Sequence, residues 1–439
     1  MNDTVEERFD VCVVGLGYVG LTLATAFAAT GMRVAGTERR GEILAALGRG
    51  EATFYEAGLS ETLREVVAEG RLTAIAADSP LPRASSYVIT VGTPLEDGRV
   101  QQEDLARALE SVAAGMPAGA LVVLRSTVRL GSTSDLAAAT LAASGKEFLL
   151  AMAPERTVEG KAMAELTTLP QIIGGRDEAS LAAASDLFGT LGVEIVPVAS
   201  PKEAEFAKLV SNTWRDLQFA FANELAYVAD LAGVDVYRVI EAAGHNYDRL
   251  NLALPGPVAG PCLEKDAYIL ADSAAHYGAS APLSRTARAV NEHIVGHIGD
   301  LAARLRPSPP GRVAILGLAF KGRPATSDVR GSLAGAFAKE FSRRWPAAEV
   351  LGWDPVVAEA EAATLPLTPA TLAQAARAEV VLLQTNHPDF SSRALQETLL
   401  AHLPAGALVV DLWNQTGPLA EARPDLQVEV FGRAPRMED

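Results

Sequence analysis

A strand, a glycine-rich turn and a small-residue helix follow one another in residues 11–30, and this combination restricts the fold more than any other feature. The run VCVV is typical of a buried strand, GLGYVG makes the turn, and LTLATAFAAT favours a helix. Gly15, Gly17 and Gly20 fill the pattern G-x-G-x-x-G. The first glycine permits the tight turn, the second admits a pyrophosphate to the backbone, and the third lets the helix pack on the strand. The segment predicts the start of a doubly wound parallel sheet that binds a dinucleotide.

The second predicted strand ends in an acidic residue, which selects between two dinucleotides. Glu38 closes the run VAGTE, where a carboxylate accepts hydrogen bonds from the ribose hydroxyls of NAD and repels the 2′-phosphate of NADP. Arg39 and Arg40 follow it and can accommodate that phosphate, so NADP stays open as an alternative. We expect NAD, bound by the glycines, by Tyr18 and Val19 between them, and by Glu38 and Arg39.

Further strand-like runs separated by helical segments continue the sheet. They are SYVITVGTP (86–94), ALVVLRSTV (120–128) and EFLLAMAPE (147–155). Ligands bind such sheets at the carboxyl ends of the strands. We therefore expect the polar residues at these ends, including Thr93, Ser126, Thr127 and Glu155, to face the ligand site.

A proline-rich stretch, RLRPSPPGR (304–312), precedes a second pattern of this kind. VAILGLAFK opens it, and EVLGWDP, EVVLLQTNH and ALVVDLWN supply further strands with polar ends. We expect an α/β fold of two Rossmann-like domains joined by a central helical segment. The predicted parts are an NAD-binding domain (1–200), a central segment (201–303), a linker (304–312) and a second nucleotide-binding domain (313–439).

Residues 201–233 have the periodicity of one long amphipathic helix. Its apolar side chains share one stripe, which favours packing against the protein interior: Phe206, Leu209, Val210, Trp214, Leu217, Phe221 and Leu225. Lys208, Asn212 and Arg215 lie on the opposite face, where a solvated stripe is the ordinary interpretation. A helix of this length can also bridge two domains or pair with its copy, so we expect a homodimer or higher homo-oligomer.

Charge and hydropathy exclude several other classes of protein. With 54 acidic and 38 basic residues and a net charge of −16, the chain lacks the basic face of a nucleic-acid binder. It has no run of 18 apolar residues to cross a membrane, and its start, MNDTVEERFD, does not resemble a signal peptide. Cys12 lies in an apolar run far from Cys262, which argues against a disulfide. We expect a cytoplasmic protein, and the six histidines show no metal-ligand spacing.

Cys262 stands in PGPVAGPCLEKDAYIL (255–270), where two interpretations are open. A lone cysteine is commonly a small buried side chain. Alternatively, Pro261 places Cys262 in the first turn of a helix, where the positive end of the helix dipole favours a thiolate, with Lys265 and Asp266 one turn further on. A thiolate near an NAD site suits aldehyde oxidation through a thiohemiacetal and a thioester.

Together the motifs resemble those of the UDP-glucose/GDP-mannose dehydrogenase family, in the same order and over nearly the whole chain. They are GLGYVG (15–20), APERTVEG (153–160), KLVSNTWRDLQFAFANELA (208–226), GPCLEKD (260–266), LGLAFK (316–321), TNH (385–387) and DLWN (411–414). The resemblance implies oxidation of a nucleotide sugar's C6 alcohol to a carboxylate with two NAD per turnover. It also implies that the intermediate aldehyde is not released.

The resemblance further implies a role for each of six catalytic residues: Cys262, Lys208, Asn212, Asp266, Thr127 and Glu155. Cys262 would be the nucleophile, and Lys208 would stabilise the alkoxide or oxyanion. Asn212 and Asp266 would hold and activate water, with Thr127 nearby, as the base for the first oxidation. Glu155 would be the base for thioester hydrolysis.

Ligand contacts are implied in the same way. The residues at the substrate would be Glu155, Arg156, Glu159, Lys208, Asn212, Arg249, Gly260, Phe320 and Lys321. Arg249 would reach the substrate of the neighbouring subunit. Lys265 and Arg330 would contact NAD, together with Thr93 and Thr127.

The identity of the sugar is left open between three classes. The GPC form of the cysteine motif and the NTWRD helix resemble acetamido-sugar members such as UDP-N-acetylmannosamine dehydrogenases, whereas Glu159 matches glucose-type members. We expect a UDP-N-acetylhexosamine 6-dehydrogenase, with UDP-glucose second and GDP-mannose third. Ala259 replaces a glycine of the family pattern, and KGRPATSDVR (321–330) is two residues longer than usual.

Two other functions stay open as alternatives. A two-electron dehydrogenase of the hydroxyacid type shares the N-terminal sheet but needs no cysteine. A non-catalytic NAD or nucleotide-sugar sensor would have lost Cys262, Lys208 or Asp266, and all three are present.

Overall fold

The structure is a computed structural model that describes residues 8–433. The outermost residues of the predicted first and last domains, and most of MNDTVEERFD, lie outside this range. The chain forms two compact units, residues 8–211 with 268–280 (unit 1) and residues 212–267 with 281–433 (unit 2). The predicted central segment is therefore shared between the units, because two of its helices pass from one unit into the other.

Unit 1 is built on an eight-stranded sheet. The unit also contains a separate two-stranded hairpin. In chain order the strands of both are β1 (Phe9–Val14), β2 (Val34–Glu38), β3 (Leu72–Ala76), β4 (Ala84–Ile89), β5 (Leu95–Glu96), β6 (Arg99–Val100), β7 (Ala120–Leu124), β8 (Phe148–Met152), β9 (Gln171–Gly175) and β10 (Ile195–Val198). The sheet order is β10-β9-β8-β7-β4-β1-β2-β3, and β5 pairs with β6 as a small hairpin. Strands β8 and β9 run antiparallel, whereas β1, β2, β4 and β7 pair in parallel as predicted.

Helices cover both faces of this sheet. They are α1 (Tyr18–Ala29), α2 (Gly41–Gly48), α3 (Leu59–Ala68), α4 (Glu103–Gly115), α5 (Ala138–Ala142), α6 (Ala162–Glu165) and α7 (Glu178–Gly189), with a π-helical turn at Thr133–Ala137. Successive side chains of a strand point to opposite faces. Accordingly, Val11 and Val13 join one apolar cluster, and Cys12 and Val14 join another. Burial also raises the pKa of the Cys12 thiol to about 12, and its prediction as a core residue is confirmed.

Four helices follow: α8 (Pro201–Ala232), α9 (Val236–Gly244), α10 (Leu263–His276) and α11 (Pro282–Leu305). The predicted long helix is thus present as α8, but the prediction of its buried face is wrong. Trp214 is 59% exposed and Phe206, Val210 and Phe221 are exposed as well, whereas Lys208 is only 6% exposed. Leu209 is the one fully buried member of the predicted stripe, and the rest of the buried face consists of small and polar side chains. Apolar periodicity therefore marked mainly a face that this chain leaves uncovered.

Unit 2 contains a second sheet in which every pair of neighbouring strands is parallel. Its elements are β11 (Arg312–Leu316), α12 (Ala334–Arg344), β12 (Glu349–Trp353), α13 (Glu359–Ala362), β13 (Thr368–Pro369), α14 (Leu372–Ala375), β14 (Val380–Leu383), α15 (Arg393–His402), β15 (Leu408–Asp411), α16 (Gly417–Ala422) and β16 (Gln427–Val430). The sheet order is β13-β12-β11-β14-β15-β16. Strand β11 again divides its apolar side chains between two clusters. The predicted α/β class with two Rossmann-like sheets is confirmed.

No helix within residues 8–433 is long and apolar enough to cross a membrane.

Candidate active site

The glycine turn of unit 1 has the geometry that a dinucleotide needs. Gly15 has a φ of +98°, and a Cβ on Gly20 would collide with the carbonyl oxygen of Gly15. A Cβ on Gly17 would meet no atom within 4 Å, so the backbone is open to a ligand there. Because α1 begins at the next residue, Tyr18, its unpaired N–H groups are available to a phosphate. These residues fit the pyrophosphate of NAD.

Glu38 ends β2 as a buried, charged acceptor. Its Oε1 accepts hydrogen bonds from the backbone N–H groups of Arg39 (2.9 Å) and Arg40 (3.0 Å), and the Arg40 guanidinium binds both carboxylate oxygens. Burial, the largest influence, would raise the pKa of Glu38, but the hydrogen bonds and charge of Arg40 outweigh it and the pKa is lowered. An ionised carboxylate at this position fits a ribose diol. The Arg39 side chain, predicted at the cofactor, pairs with Asp104 at 3.1 Å.

The carboxyl ends of β4 and β7 bring the two predicted threonines together. The Thr93 hydroxyl donates to the Thr127 carbonyl at 2.6 Å, and the neighbouring Ser126 hydroxyl donates to the carbonyl of Val91, also at 2.6 Å. Thr93 is buried and Thr127 is half-buried. The sequence predicted both threonines at the carboxyl ends of strands, and both follow strands here.

Glu155, which follows β8, is held by four N–H groups. Arg125 donates to its Oε2 from Nε (2.9 Å) and Nη2 (2.6 Å), and the backbone N–H groups of Arg156 and Thr157 donate to its Oε1, each at 2.7 Å. Burial, the largest influence, would raise the pKa of Glu155, but the charge of Arg125, the Thr157 hydrogen bonds and the charge of Lys208 together lower it. A carboxylate in this state is a weak base.

Arg125 is the residue of this site that sequence reasoning missed. Its side chain is fully buried, donates further to the Ala153 carbonyl and to Gln171 Oε1, and lies 5.2 Å from the ring centroid of Phe188. A signal was present, since an arginine directly after the apolar run of a buried strand needs an anionic partner. Its partner, 30 residues away, could not be read from that signal.

The Tyr18 side chain is also engaged within unit 1. Its hydroxyl donates to the buried Glu56 and accepts a hydrogen bond from the backbone N–H of Gly160 at 3.1 Å. The same N–H donates to Glu56 at 2.6 Å. This contact anchors the end of the loop that carries Arg156 and Glu159, both half-buried.

In unit 2, Cys262 is exposed, so its interpretation as a buried packing residue is wrong. It directly precedes α10 instead of lying in the first turn, since its carbonyl accepts the first hydrogen bonds of the helix from Lys265 N (3.2 Å) and Asp266 N (2.9 Å). The cysteine therefore lies at the positive end of a helix dipole, as predicted, but immediately before the helix and not inside its first turn.

The structure brings Asn212 and Asp266 together. The Asn212 amide donates to Asp266 Oδ2 at 2.6 Å, and Asp266 is fully buried on α10. A carboxylate and an amide in contact can share a water molecule between them. Lys208 lies one turn before Asn212 on α8.

The residues around Cys262 constrain the backbone tightly. Gly260 has a φ of +100°, a Cβ there would collide with the ring of Phe320, and its N–H donates to the Gly331 carbonyl at 3.0 Å. Lys321 Nζ lies 5.2 Å from the centroid of the Phe320 ring. Phe320, which follows β11, thus packs against the cysteine loop.

Two more predicted residues of unit 2 lie at its surface. Arg330 pairs with Asp328 and is exposed. Arg249 is exposed in the segment between α9 and α10.

Two Rossmann-like sheets and a glycine turn fitted to a pyrophosphate are features of a dinucleotide-binding enzyme, and the exposed cysteine at a helix start offers it a nucleophile. Comparison with known proteins identifies the family of the chain. Residues 9–192, 202–293 and 314–418 match the NAD binding domain, the central domain and the UDP binding domain of the UDP-glucose/GDP-mannose dehydrogenase family. The chain belongs to this family, and it is an NAD-dependent nucleotide-sugar dehydrogenase.

Its relatives include enzymes with different sugars in their names. UDP-N-acetyl-D-mannosamine dehydrogenase of Pyrococcus horikoshii is 33% identical over 394 residues, which cover 87% of this chain and 90% of the relative. A solved structure of that activity from the same organism has a TM-score of 0.86 at 30% identity, covering 98% of this chain and 100% of the other. The UDP-glucose dehydrogenase structure from Pyrobaculum islandicum has a TM-score of 0.85 at 29% identity, with 99% and 100% covered.

Proposed function

We propose that this enzyme oxidises the C6 alcohol of a UDP-N-acetylhexosamine to the carboxylate in two steps that share Cys262. The observation that carries the proposal is the exposed cysteine directly before α10, with the Asn212–Asp266 contact of 2.6 Å one turn further on. A nucleophile beside a water-holding pair suits the oxidation of an aldehyde to an acid through a covalent intermediate. A two-electron dehydrogenase would need neither.

The first step is the oxidation of the alcohol to the aldehyde. When bound, NAD supplies the hydride acceptor for each oxidation. Asp266 and Asn212 hold a water molecule that takes the proton of the C6 hydroxyl and passes one of its own to the Asp266 carboxylate. Thr127 and Thr93, which are in contact at the strand ends, would hold NAD. Lys208 stabilises the developing alkoxide, since a buried cation near a forming negative charge lowers the barrier.

The second step passes through a covalent intermediate. The Cys262 thiolate adds to the aldehyde carbon and forms a C–S bond, while the carbonyl oxygen becomes an oxyanion that Lys208 stabilises. Loss of a hydride from this carbon re-forms the C=O bond and leaves a thioester. Water then adds to the thioester carbon and gives up its protons through Asp266 to the solvent. The C–S bond breaks, the Cys262 thiolate is regenerated, and the carboxylate is released.

We assign water activation in the hydrolysis to Asp266 with Asn212, in place of the base role expected for Glu155. Four N–H groups already occupy both oxygens of Glu155, and its pKa is lowered. Its proposed role is instead to balance Lys208 and Arg125 and to hold the backbone of Arg156 and Thr157, from which the substrate-binding loop to Glu159 continues.

A UDP-N-acetylhexosamine is the favoured substrate, because the cysteine motif resembles acetamido-sugar members and the Pyrococcus horikoshii relative is named for such a sugar. UDP-glucose is the second candidate, favoured by Glu159 and by the similarity to a UDP-glucose dehydrogenase structure. The test is kcat/KM across UDP-GlcNAc, UDP-ManNAc, UDP-GalNAc, UDP-glucose and GDP-mannose. Preference for an N-acetylhexosamine supports the proposal, and preference for either other sugar overturns this assignment.

We further propose that α8 pairs with its copy in a homodimer. Trp214, Phe221 and Val228 recur every seven residues, with Leu231 three residues on, and they are 50–78% exposed. A heptad stripe is the pattern by which helices of separate chains pack together. The proposed location is the cytoplasm, where reducing conditions keep Cys262 a free thiol.

A further inference from the structure

Four polar side chains are buried in unit 2 between α8 and α11. Asp216 and Asn223 lie two turns apart on α8, and Arg288 and Asn291 lie on α11, each at most 2% exposed. Burial of polar and charged groups is unfavourable unless each finds a partner. Their partners include both ends of the loop that carries Cys262.

Asn223 holds the beginning of this loop. The N–H of Gly256 donates to Asn223 Oδ1 at 2.8 Å, and Asn223 Nδ2 donates to the Gly256 carbonyl at 3.1 Å. Gly256 is buried outside any helix or strand, and a Cβ there would lie 2.6 Å from the ring of Trp413. The Asn223 side chain thus hydrogen-bonds both the N–H and the C=O of Gly256, which packs tightly against an aromatic ring.

Arg288 holds the other end. Its Nη1 donates to Asp216 Oδ1 at 2.6 Å and to the carbonyl of Leu263, the residue after the cysteine, at 3.3 Å. Asn291 joins the two halves, because its Nδ2 donates to Asp216 Oδ1 at 2.8 Å and its Oδ1 accepts from Asn223 Nδ2 at 2.9 Å. A continuous path of hydrogen bonds therefore runs from Gly256 to Leu263 beneath the intervening loop.

We infer that Asn223, Asn291, Asp216 and Arg288 are positioning residues for the reaction, which set the place of the Cys262 sulfur by holding both ends of its loop. This inference rests on the proposed role of Cys262. Residues 251–259 have no helix or strand to fix them, so the four side chains replace the support that regular structure would give. A misplacement of about 1 Å in a reacting group costs on the order of 10²-fold in rate.

The test uses Asn223→Asp, which keeps the shape of the side chain and the acceptor for Gly256 N–H but removes both donated hydrogen bonds. We expect kcat to fall by roughly 10- to 10²-fold with the KM for NAD unchanged. We also expect the pH midpoint of Cys262 alkylation by iodoacetamide to rise in the free enzyme, because the sulfur is less well aligned with the start of α10. Cys12 is buried, so alkylation reports Cys262.

Ile298→Ala, in the apolar core of the same unit, is the control for a loss of stability. It should lower Tm without changing kcat or the alkylation profile. If Asn223→Asp behaves like this control, the four residues are only structural and the inference is overturned. Should Asn223→Asp fail to fold, Arg288→Lys decides by the same two readouts. It keeps a cation for Asp216, but its ammonium lies one bond nearer the backbone than Nη1, which donates to both Asp216 and Leu263.

Failure of the proposed function would look different. If Cys262→Ser retains two NADH per sugar, Cys262 is not the nucleophile, whatever Asn223→Asp does. If Cys262→Ser is inactive and Asn223→Asp is unaltered in kcat and in alkylation, only the positioning inference fails.

Discussion

Removal of the Arg125 side chain tests how the Glu155 site is held together. Arg125→Met keeps most of the volume and leaves the Glu155 carboxylate buried without its ion pair of 2.6 Å. Loss of one partner of a buried pair costs about 3–5 kcal/mol. For a unit of this size each kcal/mol lowers Tm by about 2–4 °C, so we expect Tm to fall by roughly 6–20 °C.

The stability lost in Arg125→Met should depend on pH, and it should be larger at neutral pH than in acid. In the wild type the pKa of Glu155 is lowered from 4.5, so the ion pair contributes fully above pH 4.5 and its contribution is lost as pH falls through the lowered pKa. Arg125 is the largest of the influences that lower the pKa of Glu155. Without it, we expect burial to outweigh the Thr157 hydrogen bonds and the Lys208 charge and to raise this pKa. The variant is then most destabilised near neutral pH, and its difference in free energy of unfolding from the wild type narrows as pH falls towards 4.5.

Calorimetry and urea unfolding followed by circular dichroism between pH 4.5 and 7.5 measure this effect. Arg125→Met/Glu155→Gln is the matched double variant. It removes the unpaired carboxylate and keeps an acceptor for the Arg156 and Thr157 N–H groups, so it should recover part of the stability, although Lys208 loses the nearby charge. A loss below about 1 kcal/mol in the single variant, as for an exposed ion pair, would refute the account of Glu155. So would a loss that does not change with pH.

The remaining predictions concern the proposed chemistry and assembly. Cys262→Ser should bind NAD normally and form no net carboxylate, as measured by equilibrium titration and by product analysis; normal turnover would remove the nucleophile assignment. Asp266→Asn should slow the first hydride transfer by a factor on the order of 10², followed as NADH absorbance in a stopped-flow experiment, and an unchanged rate would exclude it as a water-activating group. Trp214→Asp with Phe221→Asp should convert a dimer to a monomer in light scattering, whereas Tyr55→Asp, an equally exposed aromatic on unit 1, should not. An unchanged mass would contradict pairing through α8.

Local sequence patterns predicted the elements of this fold well. The glycine turn, the strand β1 and the 32-residue helix α8 are each specified by residues close together in the chain. Their signals are periodicity and backbone freedom, which act over a few residues. The positions of Thr93 and Thr127 also followed, because adjacent parallel strands present their carboxyl ends to the same edge of a sheet.

Pairings between distant residues could not be predicted in this way. Glu155 lies 30 residues from Arg125, and Asn291 lies 68 residues from Asn223. Nothing in the local sequence of either residue identifies its partner. The prediction of the buried face of α8 was also wrong, because an apolar stripe has the same period whether it packs against its own chain or against another one. The burial of Lys208 could not be predicted locally either, because the charge of Glu155 that lies near it comes from a distant part of the chain.

The most direct test of the proposed mechanism is the amount of NADH formed per UDP-sugar consumed, measured with the preferred sugar at completion. Oxidation through a Cys262 thioester predicts two NADH and one uronic acid for each sugar. One NADH with release of the aldehyde would contradict it, since Cys262 would then take no covalent part in the reaction.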